Sequence, residues 1–332
     1  MEPRHPRLRT AAARTAAVLL AVLAAGCGGD GGGAGRAVAE PALGVVAADP
    51  PTASLALPLD AYADSDDEAA RLTAAQQRLT VRCMARYGFA YEPPPVPVPA
   101  GAGGGRADRH RWLYGIADAG HAAAYGYDKD AGRPRPPRPP APALSDSART
   151  VLYGERPGAQ GQGQGGRQAP DPRTEEEAAA VDSGLTVGGR RVPPGGCLRE
   201  GYRKLYAPTK DSVDLLFPFG LASEAHTRAQ RDSRVAAALA KWSACLARSG
   251  YRGVGSPYEV SARLGLDADP GGARAVAVAT RDVACKREVN LVGIWAAVET
   301  AYQQRLVEEQ AETLAAYRTQ REARFRLAAR LG

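Results

Sequence analysis

The longest regular alternation of apolar and polar positions lies in the C-terminal sixty residues. Leu291, Trp295, Val298, Tyr302, Leu306, Leu314 and Tyr317 recur with a period near 3.6, and no proline follows Pro270. The pattern predicts one helix from about residue 270 to 330, some 85 Å long at about 1.5 Å per residue. Its first half, Val276 to Tyr302, is apolar enough to lie in a core. From Gln303 onward Arg, Glu, Gln and Ala dominate, and the spacing Arg318–Glu322–Arg326 supports an exposed helix. The second half is therefore expected to project as a contact surface.

The same periodicity places other helices. Ser65-Asp66-Asp67-Glu68 has the form of a capping box, with acidic residues in the first turn. Leu72, Leu79, Cys83 and Tyr87 then share a face, and Gly88 is placed to stop the helix. Thr174-Glu175-Glu176-Glu177 opens a short alanine-rich helix. Ser233 to Arg248 carries Val235, Leu239, Trp242 and Leu246 at helical spacing. Ser256-Pro257-Tyr258-Glu259, with proline at the first helical position, reads as the best single helix start in the chain. Strand patterning is confined to Leu185–Val192, where Gly188-Gly189 makes a two-residue hairpin turn. The predicted fold is mainly α: a single disulfide-stapled helical domain over 61–332, with one small β-hairpin and a long C-terminal helix. Three Pro-, Gly- and Gln-rich stretches interrupt it, at about 93–107, 132–142 and 157–172. They are too poor in apolar residues to offset chain entropy and are expected to loop out as disordered segments.

The N-terminus changes the picture. Arg4, Arg7, Arg9 and Arg14 precede an apolar run from Ala16 to Ala25, which is too short to span a bilayer and reads as a secretory signal over 1–26. The run closes as Leu23-Ala24-Ala25-Gly26-Cys27, which resembles a bacterial lipobox. That resemblance implies cleavage before Cys27 and a diacylglycerol on its thiol, with acyl chains such as palmitate. Residues 27–60 then read as a lipidated flexible tether. The expected location is the extracytoplasmic face of the cell membrane, held by the lipid anchor.

The net charge of +7 falls to +4 once the signal's four Arg and one Glu are removed. So mild a charge on an exported chain argues against a nucleic-acid partner. Besides Cys27 there are four cysteines, Cys83, Cys197, Cys245 and Cys285, which allow three connectivities in an exported protein. A short repeat separates them. Cys83-Met84-Ala85-Arg86 matches Cys245-Leu246-Ala247-Arg248, and Cys197-Leu198-Arg199-Glu200 matches Cys285-Lys286-Arg287-Glu288. The order along the chain favours Cys83–Cys197 and Cys245–Cys285. Close CxxC spacing is absent and His110, His121 and His226 are scattered, so no metal site and no cofactor are expected.

Several stretches together resemble a family of exported actinobacterial lipoproteins whose function is unassigned. They are Tyr114-Gly115-Ile116 with Asp118, Tyr125-Gly126-Tyr127, Val192 to Cys197, Trp242-Ser243-Ala244-Cys245, and Cys285-Lys286 with Asn290 to Trp295 and Glu299. The resemblance spans about 65 to 318. It implies export, disulfides and a helical fold, and supplies no activity.

Motifs of hydrolases, zinc proteases and nucleotide-binding loops are missing. Trp112, Tyr114, Tyr125, Tyr127 and Tyr202 could line a groove for glycan or peptide. The expected role is non-enzymatic binding or scaffolding in the cell envelope, toward an envelope protein or wall polymer. The alternative is a cell-wall hydrolase using Glu200, Glu288 or Glu299 as acid and base, which would require those carboxylates to converge in one cleft.

Overall fold

A computed structural model describes residues 39–95, 108–131, 143–155 and 171–332. The expected signal segment, 1–26, and Cys27 lie outside the described residues, as do most of the three low-complexity stretches. Glu40–Gly332 forms one compact unit. It contains eleven helices and one two-stranded antiparallel hairpin among the described residues. None of those helices is long and apolar enough to cross a membrane.

The first helix, α1 (Asp66–Ala85), starts at the capping box, where the Glu68 N–H donates to Ser65 Oγ and the Ser65 N–H to Glu68 Oε2. It buries Leu72, Ala75, Cys83 and Met84. Next come α2 (Ala119–Tyr125), α3 (Asp146–Tyr153) and α4 (Glu175–Ala179), then the strands β1 (Thr186–Val187) and β2 (Arg190–Arg191). Gly188 and Gly189 both have positive φ, 56° and 71°, as the tight hairpin turn demands. The helix α5 (Gly196–Tyr206) follows. A Cβ on Gly196 would sit 2.4 Å from the Leu152 carbonyl, so glycine there lets α5 start against the end of α3.

The main core is built by α6 (Phe217–Arg231), α7 (Ser233–Arg248), the single turn α8 (Val260–Arg263), α9 (Ala273–Glu288), α10 (Leu291–Glu309) and α11 (Ala311–Leu331). Trp242, Leu246, Leu291 and Trp295 lie at its centre with under 2 % exposure. A second cluster surrounds Cys83 and Cys197, and a third joins Leu72 of α1 to Leu205 of α5 and Leu331 of α11.

Four expectations change. First, the C-terminal segment is three helices, not one. Asn290 adopts a left-handed conformation (φ 51°), and its side chain accepts from the Asp49 N–H and donates to the Ala47 carbonyl. Asparagine tolerates this conformation, so the break needs neither proline nor glycine. A second break falls at Gln310. Second, α11 does not project. It folds back so that Leu314, Tyr317 and Leu331 are buried, while Arg321 pairs with Asp64 at 2.6 Å and Glu68 at 2.7 Å beside the start of α1. Third, the Ser256–Glu259 box opens only one helical turn. Glu259 Oε1 does accept the Ser256 N–H, but Ser256 Oγ takes the Tyr258 N–H two residues on, and Gly265 ends the turn at φ 65°. Fourth, residues 40–60 belong to the domain. Leu57 and Leu59 are 5 % exposed, and Glu40 accepts from the Ser233 N–H at 2.6 Å.

Candidate functional site

The repeated cysteine motifs form two matching clasps. Cys83 is bridged to Cys197, and Cys245 to Cys285. In each clasp the Arg three residues after the first cysteine pairs with the Glu three residues after the second. Arg86 pairs with Glu200, and Arg248 with Glu288 at 2.8 Å. Each first-motif helix also ends alike: Phe89 N–H donates to the Met84 carbonyl across Gly88, and Tyr251 N–H to the Leu246 carbonyl across Gly250. The flanking helices differ, however. Cys197 opens α5, whereas Cys285 lies near the end of α9. The clasp is repeated, but the place of the second cysteine within its helix is not.

This placement separates the three candidate carboxylates. Glu200 is held by Arg86 and Lys204, and Glu288 by Arg248, each beside its own disulfide. Donor atoms of Cys245, Cys285 and Glu288 lie within 4.8 Å of one another, but both sulfurs are used in the bridge, leaving no thiolate for a metal. Glu299 lies elsewhere, on α10, and shares no partner with the other two.

Nor do the aromatic candidates line one groove. Tyr114 is buried and donates to Glu299 Oε2 at 3.1 Å. Burial, followed by the Glu299 charge, raises its hydroxyl well above the usual range. Tyr127 donates to Asp282, Trp112 packs edge-on against His121, and Tyr202 packs on Tyr206. Tyr125 is largely at the surface. Burial, the largest influence on His121, lowers its pKa.

Glu299 instead lies in the wall of a cleft of ≈ 560 Å³. The cleft is bounded by the turn at Pro58–Tyr62, residues 109–113, α6, α10 and Tyr317 of α11. Leu57, Leu113, Phe219 and Ala222 supply an apolar lining. Phe219, Ala222 and His226 reach it because they recur every three to four residues on α6. The turn is pinned in place by the Leu59 N–H, which donates to Gln303 Oε1 at 3.0 Å.

The polar groups converge at two places. At one, Asp60 accepts from His110 at 2.9 Å and lies 3.5 Å from Arg109. Burial disfavours the Asp60 charge, but hydrogen bonds from His110 and the Leu57 N–H, with the charge of Arg109, outweigh it and hold the carboxyl below the usual range. At the other, His226 Nδ1 lies 2.8 Å from Glu299 Oε2, and Gln303 Nε2 lies 3.5 Å from Glu299 Oε1. His226 Nε2 faces Gln230 Nε2 at 3.0 Å and the Tyr258 hydroxyl at 2.9 Å. The Tyr258 hydroxyl gives its own proton to the Leu113 carbonyl at 2.5 Å, so toward His226 it can only accept. The imidazole also stacks on Trp295 at 5.6 Å.

A second buried network lies behind this site. Asp282 accepts from Trp242 Nε1 at 2.8 Å, the Tyr127 hydroxyl at 3.1 Å and Lys286 Nζ at 3.0 Å, and Lys286 also donates to the Ile116 carbonyl. Asp282, Lys286 and Trp242 are closed off from solvent and Tyr127 is half-buried, and burial pulls the Lys286 pKa down against the raising effect of Asp282. It ties residues 116–127 to the core and lines no part of the cleft.

His226 and Gln303 escaped the sequence reading. The signal was present for Gln303 and Glu299: two polar residues four apart in the apolar run of α10, each 1 % exposed in the fold. His226 had no local marker. No protein-family model, curated protein or solved structure matches this chain.

Proposed function

We propose that the chain is an exported lipoprotein, anchored through Cys27 to the extracytoplasmic face of the membrane, that binds a small, mainly apolar molecule without transforming it. The observation carrying the reading is the cleft beside α6 and α10. Its ≈ 560 Å³ falls within the ~300–1,000 Å³ of small-molecule sites, and its apolar walls meet a few convergent polar groups. Two disulfides suit an oxidising compartment outside the cytoplasm. The hydrolase alternative asks for paired acids in one cleft, and Glu200 and Glu288 are each engaged at a disulfide clasp.

Binding is tested with a neutral fluorescent apolar probe, N-phenyl-1-naphthylamine. One site per chain is expected, and Ala222→Trp, which fills the cleft, should weaken binding at least tenfold while leaving the melting temperature within a few degrees. Unchanged binding in Ala222→Trp would rule the cleft out. Anchoring is tested separately by detergent phase partitioning of cells making the full chain. The wild-type chain should enter the detergent phase and Cys27→Ser the aqueous phase, because two acyl chains are needed for stable membrane attachment. Equal partitioning of the two would refute lipidation.

A further inference from the structure

We propose that the apolar turn at the mouth of the cleft, Leu215 to Phe219, is a membrane-contact surface, so that the cleft opens onto the acyl layer of the bilayer that carries the anchor. The inference rests on the lipid anchor at Cys27 and not on what the cleft holds.

Among the described residues, Leu216 and Phe219 are the only exposed hydrophobic side chains larger than valine that carry no hydroxyl. They are 65 % and 72 % exposed. Both belong to one unbroken apolar run, Leu215-Leu216-Phe217-Pro218-Phe219, set between Asp214 and Gly220. Three positions apart at the start of α6, they share a face. Leu215, Pro218 and Phe219 also line the cleft, so the patch is continuous with its mouth.

The turn is fixed without burying them. The Leu216 N–H donates to Asp214 Oδ1 at 2.8 Å, and the Phe217 N–H to the Asp214 carbonyl at 3.0 Å. Gln320 of α11 accepts from the Val213 N–H at 2.9 Å and donates to the Asp211 carbonyl at 3.2 Å. The backbone is held while a leucine and a phenylalanine stand in water. Such a patch is unfavourable in solvent and marks a surface that something apolar covers.

The chain's own anchor puts a bilayer beside it. Glu40 is tied to the Ser233 N–H and hydroxyl, at 2.6 and 2.8 Å, where α6 meets α7. Cys27 lies 13 positions earlier, and that length of chain spans at most about 45 Å. From the same junction α6 runs back 15 residues, about 22 Å, to Phe217. The patch is therefore within reach of the surface in which the acyl chains are embedded. Polarity along α6 runs in the matching sense. Its exposed side chains pass from Phe219 to Glu224, Thr227, Gln230 and Arg231. A helix apolar at its first turn and polar beyond suits end-on contact, about 5–10 Å deep, with no spanning segment. A protein partner would cover two such side chains equally well, but only the bilayer is held beside them by the chain itself.

The test uses the full-length chain, purified with its anchor and reconstituted into phosphatidylcholine vesicles with or without brominated acyl chains. Flotation with the vesicles reports the anchor. Leu216→Trp and Phe219→Trp each place an indole on the patch, and Tyr153→Trp places one at the end of α3. Trp112, Trp242 and Trp295 are common to all three variants, so the wild-type signal is subtracted. The added emission of Leu216→Trp and Phe219→Trp should fall about twofold in brominated vesicles, and that of Tyr153→Trp should stay unchanged, because insertion to about 5–10 Å brings only the patch near the bromines. Two variants read the same surface, so one that fails to fold leaves the test intact. Patch tryptophans quenched no more than Tyr153→Trp, in chains that float, would overturn the proposal. Emission that is blue-shifted yet unquenched would overturn it in favour of a protein contact. Failure of the wild-type chain to float would remove the anchor reading and this inference with it, leaving the neutral-probe test of the cleft unaffected.

Discussion

Replacing Cys83 and Cys197 together by serine is expected to cost about 5 kcal/mol of stability and lower the melting temperature by on the order of 10 °C. The bridge closes a 114-residue loop, and the freedom it removes from the unfolded chain grows with loop length. It also joins α1 to α5 inside a small cluster with Val151, Leu152 and Val192, which the main core does not support directly. Opening Cys245–Cys285 should cost less, about 4 kcal/mol, because its loop is 40 residues and both sulfurs lie within the main cluster. Thermal unfolding of the two serine pairs beside the wild-type chain checks the order. Hydrogen exchange on the Cys83/Cys197 variant should show loosening concentrated in α1 and α5. A larger loss from the Cys245/Cys285 pair would mean that the two clasps are not ranked by the loops they close.

Asp282→Ala should cost about 3–5 kcal/mol, because it strands a buried ammonium. Lys286 would keep only the Ile116 carbonyl, and the Trp242 indole and Tyr127 hydroxyl would each lose an acceptor. The double change Asp282→Leu with Lys286→Met should recover the part due to the stranded charge, but not the part due to Trp242 and Tyr127. Urea unfolding of the single and double variants separates these terms. If Asp282→Ala costs under about 1 kcal/mol, the network does not hold residues 116–127 to the core in the way its geometry implies.

How far the sequence spoke depended on whether a feature was local. The capping box at Ser65, the Gly188-Gly189 turn and the limits of α7 each rest on a few adjacent residues, and the structure has them where the pattern puts them. The cysteine repeat was also legible, since both halves of each clasp carry the same Arg and Glu offsets. The break at Asn290 was not, because its cause is a side chain reaching Ala47 and Asp49, some 240 positions away. The return of α11 likewise depends on Asp64 and Glu68 meeting Arg321. A polar helix with a few spaced apolar residues reads as solvated until its partner face is known. The cleft is the least local feature of all. His226, Glu299 and Asp60 come from three separate parts of the chain, and only the polar positions within apolar α10 hinted at it.

The most direct measurement of the central claim is a map of amide chemical shifts in isotopically labelled protein as the neutral probe N-phenyl-1-naphthylamine is added. Binding in the cleft predicts saturable changes confined to its walls, near Leu59, Leu113, Ala222, Glu299 and Gln303, with α1, α5 and the hairpin unmoved. Changes scattered over the surface, or none up to the solubility limit of the probe, would contradict it.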